Sequence, residues 1–123
     1  MTIMNERKKI LEALLAFEQP VEQLRTALAG FPWDSDTELA FLSVGHVTNV
    51  LNRFVTGRSN AIEVENWAFA IEGRDDIGFE SANEQLLREL VHELANPLIT
   101  QPLTPERAIG LLKKIESVSG QKL

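Results

Sequence analysis

The chain predicts an all-α fold: a bundle of five to six helices forming a single domain over residues 1–123. Three observations carry this. Apolar residues recur at the three-to-four spacing of amphipathic helices along most of the chain. No stretch shows the period-two alternation of a strand, and tyrosine is absent. Cap-forming residues, prolines and glycines interrupt the apolar pattern at short intervals, as helix ends require. The length suits one domain with a core that needs no staples, and helices joined by short connectors pack as a bundle.

The first helix is expected to start near Asn5, with residues 1–4 frayed and Ile10, Leu11, Leu14, Leu15 and Phe17 as its apolar stripe. Pro20 breaks the hydrogen-bond ladder there. Val21, Leu24, Ala27 and Leu28 resume the spacing, so residues 5–29 form either one kinked helix or two. Gly30 is expected to close this region in the left-handed conformation. Phe31 to Asp36 reads as a loop.

Ser35 with Glu38 matches a capping box, which predicts a long helix from there to Gly57. Leu39, Val47, Val50, Leu51 and Phe54 share its inner face, and Gly45 is expected to let another helix approach closely. His46, Asn49 and Arg53 form a polar row opposite, either a solvated face or a binding strip. Asn60 with Glu63 caps the next helix, Ala61 to Glu72. Val64, Trp67, Ala68 and Ile71 make its main apolar face. Ile62 and Phe69 lie almost opposite, so this helix is expected near the centre of the bundle. Those two residues then meet the N-terminal helices or form a homodimer patch.

Gly73 ends that helix. In the following loop Ile77 and Phe79 act as anchors, with Asp75 and Asp76 outside or paired with Arg74. Ser81 with Glu84 opens a helix whose core stripe is Leu86, Leu87, Leu90, Val91 and Leu94, and Asn96-Pro97 stops it. Thr104-Pro105-Glu106 starts the last helix, with Ala108, Leu111, Leu112 and Ile115 inward and residues 119–123 frayed.

The composition excludes several chemistries. Without cysteine there is no disulfide, thiolate ligand or thiol nucleophile. His92-Glu93 begins like a zinc-protease motif, but Asn96 stands where the second histidine belongs. No nucleophile elbow or glycine-rich phosphate loop is present, so neither catalytic residues nor a metal or other cofactor are expected. The helix after Gly57 carries Glu63, Glu65 and Glu72 and no base, which rules out DNA readout through it. No apolar run is long enough to span a membrane, and the amino-terminal residues read as an amphipathic helix. Both point to a cytoplasmic protein.

Charge is the asymmetric feature. From Ala61 to Asn96 nine acids face two arginines, while the whole chain carries a net charge of −6. Such a segment is either a solvated face or a docking surface for a basic partner. The candidate docking residues are Glu72, Asp75, Asp76 and Glu80, which one loop presents together.

The block Trp67-Ala68, Glu72 to Glu80, Leu94-Ala95-Asn96-Pro97 and Pro102-Leu103-Thr104 resembles a family of small, uncharacterised bacterial helical proteins. The turn at Phe54 to Gly57, leading into a helix with an acid before an aromatic residue, is similar to small helical immunity proteins such as those against colicin D-type nucleases. That resemblance implies a non-enzymatic protein that occludes a basic toxin through an acidic surface. The alternative is a small enzyme or accessory subunit with a polar cleft joining Asp75 or Asp76 to His46 or Arg53.

Overall fold

In the computed structural model, residues 3–31 and 35–119 are described. Within them are six α-helices and two very short strands. These are α1 (Ile3–Ala16), α2 (Val21–Leu28), β1 (Ala40–Leu42), α3 (Val44–Val55), α4 (Ala61–Ile71), β2 (Ile77–Phe79), α5 (Glu84–Ala95) and α6 (Pro105–Ser119). Ile3 and Met4 belong to α1 and Ser119 to α6. The expected fraying of the outermost residues, and residues 32–34 of the expected loop, lie outside the described residues.

The helical stripes bury as their spacing predicts. Leu11, Leu14 and Leu15 of α1 meet Val21, Leu24 and Leu28 of α2 in one core with Val47, Val50 and Leu51 of α3. The α5 stripe and Ala108, Leu111, Leu112 and Ile115 of α6 complete it. The closest helix pairs are α4 with α5, α3 with α6, and α1 with α2. Trp67 is fully buried at the centre. Its indole N–H donates to the Leu14 carbonyl at 2.7 Å, satisfying the one polar atom that its burial would otherwise strand.

Residues 5–29 form two helices, not one kinked helix. Phe17, at φ 55°, supplies the left-handed residue that ends α1, and Pro20 caps α2. Gly30 does not take the left-handed conformation expected of it: the positive-φ glycines among the described residues are Gly57 and Gly73.

The larger correction concerns residues 35–43. The Ser35 hydroxyl bonds within its own turn, to the Thr37 carbonyl, and starts no helix. Ala40 to Leu42 instead pair in parallel with Ile77 to Phe79, in the register Ala40↔Ile77, Phe41↔Gly78 and Leu42↔Phe79. Helix α3 begins only after Ser43, which forms a capping box with His46. The Ser43 Oγ accepts from the His46 N–H, and His46 Nδ1 accepts from the Ser43 N–H at 3.0 Å. Gly45 lies exposed, with no neighbouring helix close to it.

Asn60 and Glu63 cap α4 reciprocally, as expected, and the Thr104 hydroxyl caps α6. Ser81 makes no side-chain cap; a 3-10 turn, Ser81–Asn83, leads into α5. The expectation that α4 is covered on both faces fails for one of them. Helices α2, α3 and α5 surround its Trp67 side, whereas Ile62 is 67% exposed and Phe69 56%.

Candidate functional site

The segment from Glu72 to Glu80 joins α4 to α5 and carries all four predicted docking residues. Their fates differ. Glu72 is the C-cap of α4. Its carboxylate lies 2.9 Å from His92 Nδ1 and accepts from Asn96 Nδ2 at 3.0 Å, tying the end of α4 to the last turn of α5. Gly73, at φ 82°, then reverses the chain in a conformation that a side chain would strain.

Asp76 is not on the surface. Its exposure is 0%, and it sits between two arginines. Arg7 of α1 reaches Oδ2 through Nε at 2.9 Å and Nη2 at 2.8 Å, and Arg74 grips both oxygens at 2.8 and 2.9 Å. The Asp76 carbonyl meanwhile accepts from the Leu39 and Ala40 N–H groups. One residue thus fastens α1, the loop and the start of β1 together. Burial alone would raise the Asp76 carboxyl. The hydrogen bonds and charges of Arg74 and Arg7 outweigh it and hold the group below the ordinary carboxylate value. The aspartate predicted to meet a partner is therefore the internal anchor of the loop.

Glu80 is also committed inward. Its Oε2 accepts from the Val44 N–H at 3.0 Å, adding a carboxylate to the amino-terminal end of α3 beside the Ser43 cap. Burial lowers the His46 pKa, while the charges of Glu80 and Glu12 oppose that effect. Because Nδ1 accepts a backbone N–H, the neutral ring carries its proton on Nε2.

Asp75 alone of the four projects freely outward. It lines an open cleft of about 360 Å³ with Glu38, Glu72, Arg74, Arg88 and Phe79. Glu38 was not foreseen here. The parallel pairing of β1 with β2 carries it across the sheet, and Gly78 makes room, since a Cβ there would stand 2.7 Å from both the Glu38 carboxylate and the Phe41 ring. Three carboxylates from two parts of the chain, residue 38 and the segment 72–75, thus meet one cleft. Its two guanidinium groups are already engaged: Arg74 by Asp76, and Arg88 by Glu84 at 2.8 Å with the Phe79 ring beneath it.

The polar row of α3 has other duties. Asn49 donates to the Ala16 carbonyl at 3.3 Å, and Arg53 lies 4.6 Å over the Phe17 ring while donating to Ser59. Asn49 and Arg53 clamp the carboxy-terminal end of α1, while His46 caps α3. Among the described residues no hydrogen bond or ion pair joins Asp75 or Asp76 to His46 or Arg53, and neither of the latter lines the cleft beside Asp75. Also among the described residues, no group of three or more histidines, aspartates or glutamates is placed to share a metal ion. Among the same residues no helix is long and apolar enough to cross a membrane.

No protein-family model, curated protein or solved structure matches this chain.

Proposed function

We propose that this chain is a non-enzymatic protein-binding module that receives basic side chains of a partner protein, acting as an immunity protein that covers a basic bacterial toxin. One observation carries the reading: Glu38, Glu72 and Asp75 converge on one cleft whose arginines are held by other acids. The docking residues differ from the first expectation. Asp76 and Glu80 build the cleft's support, and Glu38 replaces them at its wall.

The arrangement suits recognition by charge. A cluster of one sign steers an oppositely charged partner into encounter, over a range of about 8 Å at physiological salt. The Arg7–Asp76–Arg74 cluster fixes the loop before binding, which lowers the ordering entropy that association costs. A nuclease binds the phosphate backbone through basic residues, so an acidic protein seated there competes with its substrate.

The test is a charge reversal of the cleft wall, Glu38→Lys with Asp75→Lys. Both residues are exposed, so the fold should persist. The candidate partners are the products of the genes adjoining this one, purified in inactive form where toxic, and their association is followed at several salt concentrations. Association should slow at least about tenfold at low salt and lose most of its salt dependence. A rate that the reversal leaves unchanged, or a genomic neighbourhood whose products show no binding, refutes the reading.

A further inference from the structure

Helix α4 leaves one face outside the bundle. On a helical projection Ile62, Glu65, Asn66 and Phe69 share an arc about 100° wide. Ile62 and Phe69, both exposed, stand about 10 Å apart along its axis. Each borders a hollow. The one beside Phe69, about 380 Å³, is lined by Leu28 and Phe31, with Arg25 and Arg74 and no acid. The one beside Ile62, about 200 Å³, is lined by Pro97 and Leu103, with Glu65, Glu93 and Arg107.

Most charges around this face are already held. Glu63 accepts from the Asn60 N–H, and Glu72 is tied to His92 and Asn96. Arg107 bonds Glu93 at 2.8 Å and also Gln101, and Arg74 belongs to Asp76. Two charges differ. Among the described residues the Glu65 carboxylate meets no hydrogen-bonding or ionic partner. Arg25 is held only loosely, by Glu22 at 3.7 Å, with both side chains well exposed. The face is therefore polarised, negative at the Ile62 hollow and positive at the Phe69 hollow.

A polarised face of this kind fits a copy of itself turned end for end. In a two-fold pair, a residue i that meets j is matched by j meeting i. With two α4 helices antiparallel and centred between Glu65 and Asn66, Ile62 falls opposite Phe69 and Glu65 opposite Asn66. The apolar ends then cover one another, and each carboxylate accepts from a side-chain amide. Arg25 of each copy lies towards the acidic end of the other. A parallel pair would instead set Glu65 against Glu65. A uniformly basic helix would suit Glu65 and be repelled by Arg25 and Arg74.

We infer that α4 is the interface of a two-fold homodimer, packed antiparallel so that Ile62 meets Phe69 and Glu65 meets Asn66 of the second copy. A stable interface takes about 800 Å² from each partner, more than four side chains supply, so the apolar linings of both hollows belong to the contact. Glu38 and Asp75 line neither hollow, and the inference is independent of what the acidic cleft binds.

Sedimentation equilibrium of the full chain over a wide concentration range tests the assembly, with circular dichroism and thermal unfolding verifying that each variant is folded. The parent should reach twice the monomer mass, and Ile62→Ser/Phe69→Ser should weaken dimerisation at least about tenfold. A swap tests the orientation. Asn66→Glu alone sets carboxylate against carboxylate and should also weaken the dimer. Glu65→Asn/Asn66→Glu restores the pairing of carboxylate with amide and should recover it. Because the chain has no cysteine, cross-linking gives a second readout under mild oxidation. A mixture of Ile62→Cys and Phe69→Cys chains should form the mixed disulfide. Neither should link to itself, since like positions lie about 10 Å apart, too far to bridge. A parent that stays monomeric at every concentration overturns the inference and leaves the face to another protein. So does a dimer indifferent to the serine substitutions, a swap that fails to recover Asn66→Glu, or self-linking of either cysteine chain.

Discussion

Two linkers of similar length, residues 72–80 and 96–104, treat their side chains in opposite ways. The first buries an aspartate completely, between Arg7 and Arg74. The second exposes Leu98 at 99% and Ile99 at 74%. Composition alone would assign these roles the other way round. The difference comes from where the topology takes each linker. Parallel pairing with β1 draws the first into the bundle beside α1, where two guanidinium groups make a buried carboxylate tolerable. The second passes over the outside from α5 to α6. Its turn is closed by polar bonds, with the Thr100 hydroxyl donating to the Glu93 and Asn96 carbonyls and the Ile99 N–H to Asn96. Those bonds fix the backbone and leave the two aliphatic side chains outside. Burial follows the partners that a position finds, and hydropathy is only one of them.

Removing the buried carboxylate should have the largest effect. Asp76→Ala leaves Arg7 and Arg74 facing each other around an empty centre and should cost about 3–5 kcal/mol, measured by urea unfolding. A loss under about 1 kcal/mol would mean that the linker is held by its strand pairing alone, and the contrast with residues 96–104 would collapse.

The same substitution predicts a pH dependence. The folded-state pKa of Asp76 is depressed. Its contribution is therefore complete above the unfolded value, about 3.9, and is lost as pH falls through the folded value. The gap between parent and Asp76→Ala should stay constant from neutral pH down to about 4 and close below it. A gap that closes already near pH 6 would assign the stabilisation to another group.

His46 gives a smaller effect in the same neighbourhood. Burial lowers its pKa, against the opposing charges of Glu80 and Glu12, so the folded state prefers the neutral ring. Stability should fall as pH drops below about 6.5 and level off once the folded value is passed. Glutamine at this position can still accept the Ser43 N–H in a capping box. His46→Gln should therefore keep the helix and abolish that slope, as read from unfolding curves between pH 7 and pH 5.

Much of the bundle was legible because its information is local. The stripes of α5 and α6, the Asn60–Glu63 box, the Thr104 cap and the central Trp67 each follow from residues within a turn or two of one another. What escaped is non-local or atypical. Three-residue strands are too short to show a period, and β1 exists only because β2 lies beside it. Ser35–Glu38 has the sequence of a capping box without the helix. Ser43–His46 has the helix with histidine in the place where glutamate is usual, so pattern matching selected the wrong serine. Of the candidate docking residues, Glu72 and Asp75 line the cleft. Glu38 arrives through the strand pairing, and Asp76 leaves it for Arg7, 69 residues away in the chain. Adjacent aspartates with opposite burial carry no distinguishing mark in sequence.

The smallest expected effect tests the other side of the comparison. If Leu98 and Ile99 are outside because the Asn96–Thr100 turn is held by its polar bonds, then replacing both by serine removes nothing that the fold uses. Leu98→Ser with Ile99→Ser should change unfolding free energy by less than about 0.5 kcal/mol, as for surface substitutions generally. Thr100→Val is the matched control. It keeps the volume but deletes the hydroxyl bonds to Glu93 and Asn96, and should cost about 1 kcal/mol while both aliphatic residues remain. Should the serine pair destabilise the chain more than Thr100→Val, the aliphatic side chains must be covered in solution. The connector would then belong with residues 72–80 as a packed element, and concentration-dependent unfolding would show whether its cover is another molecule.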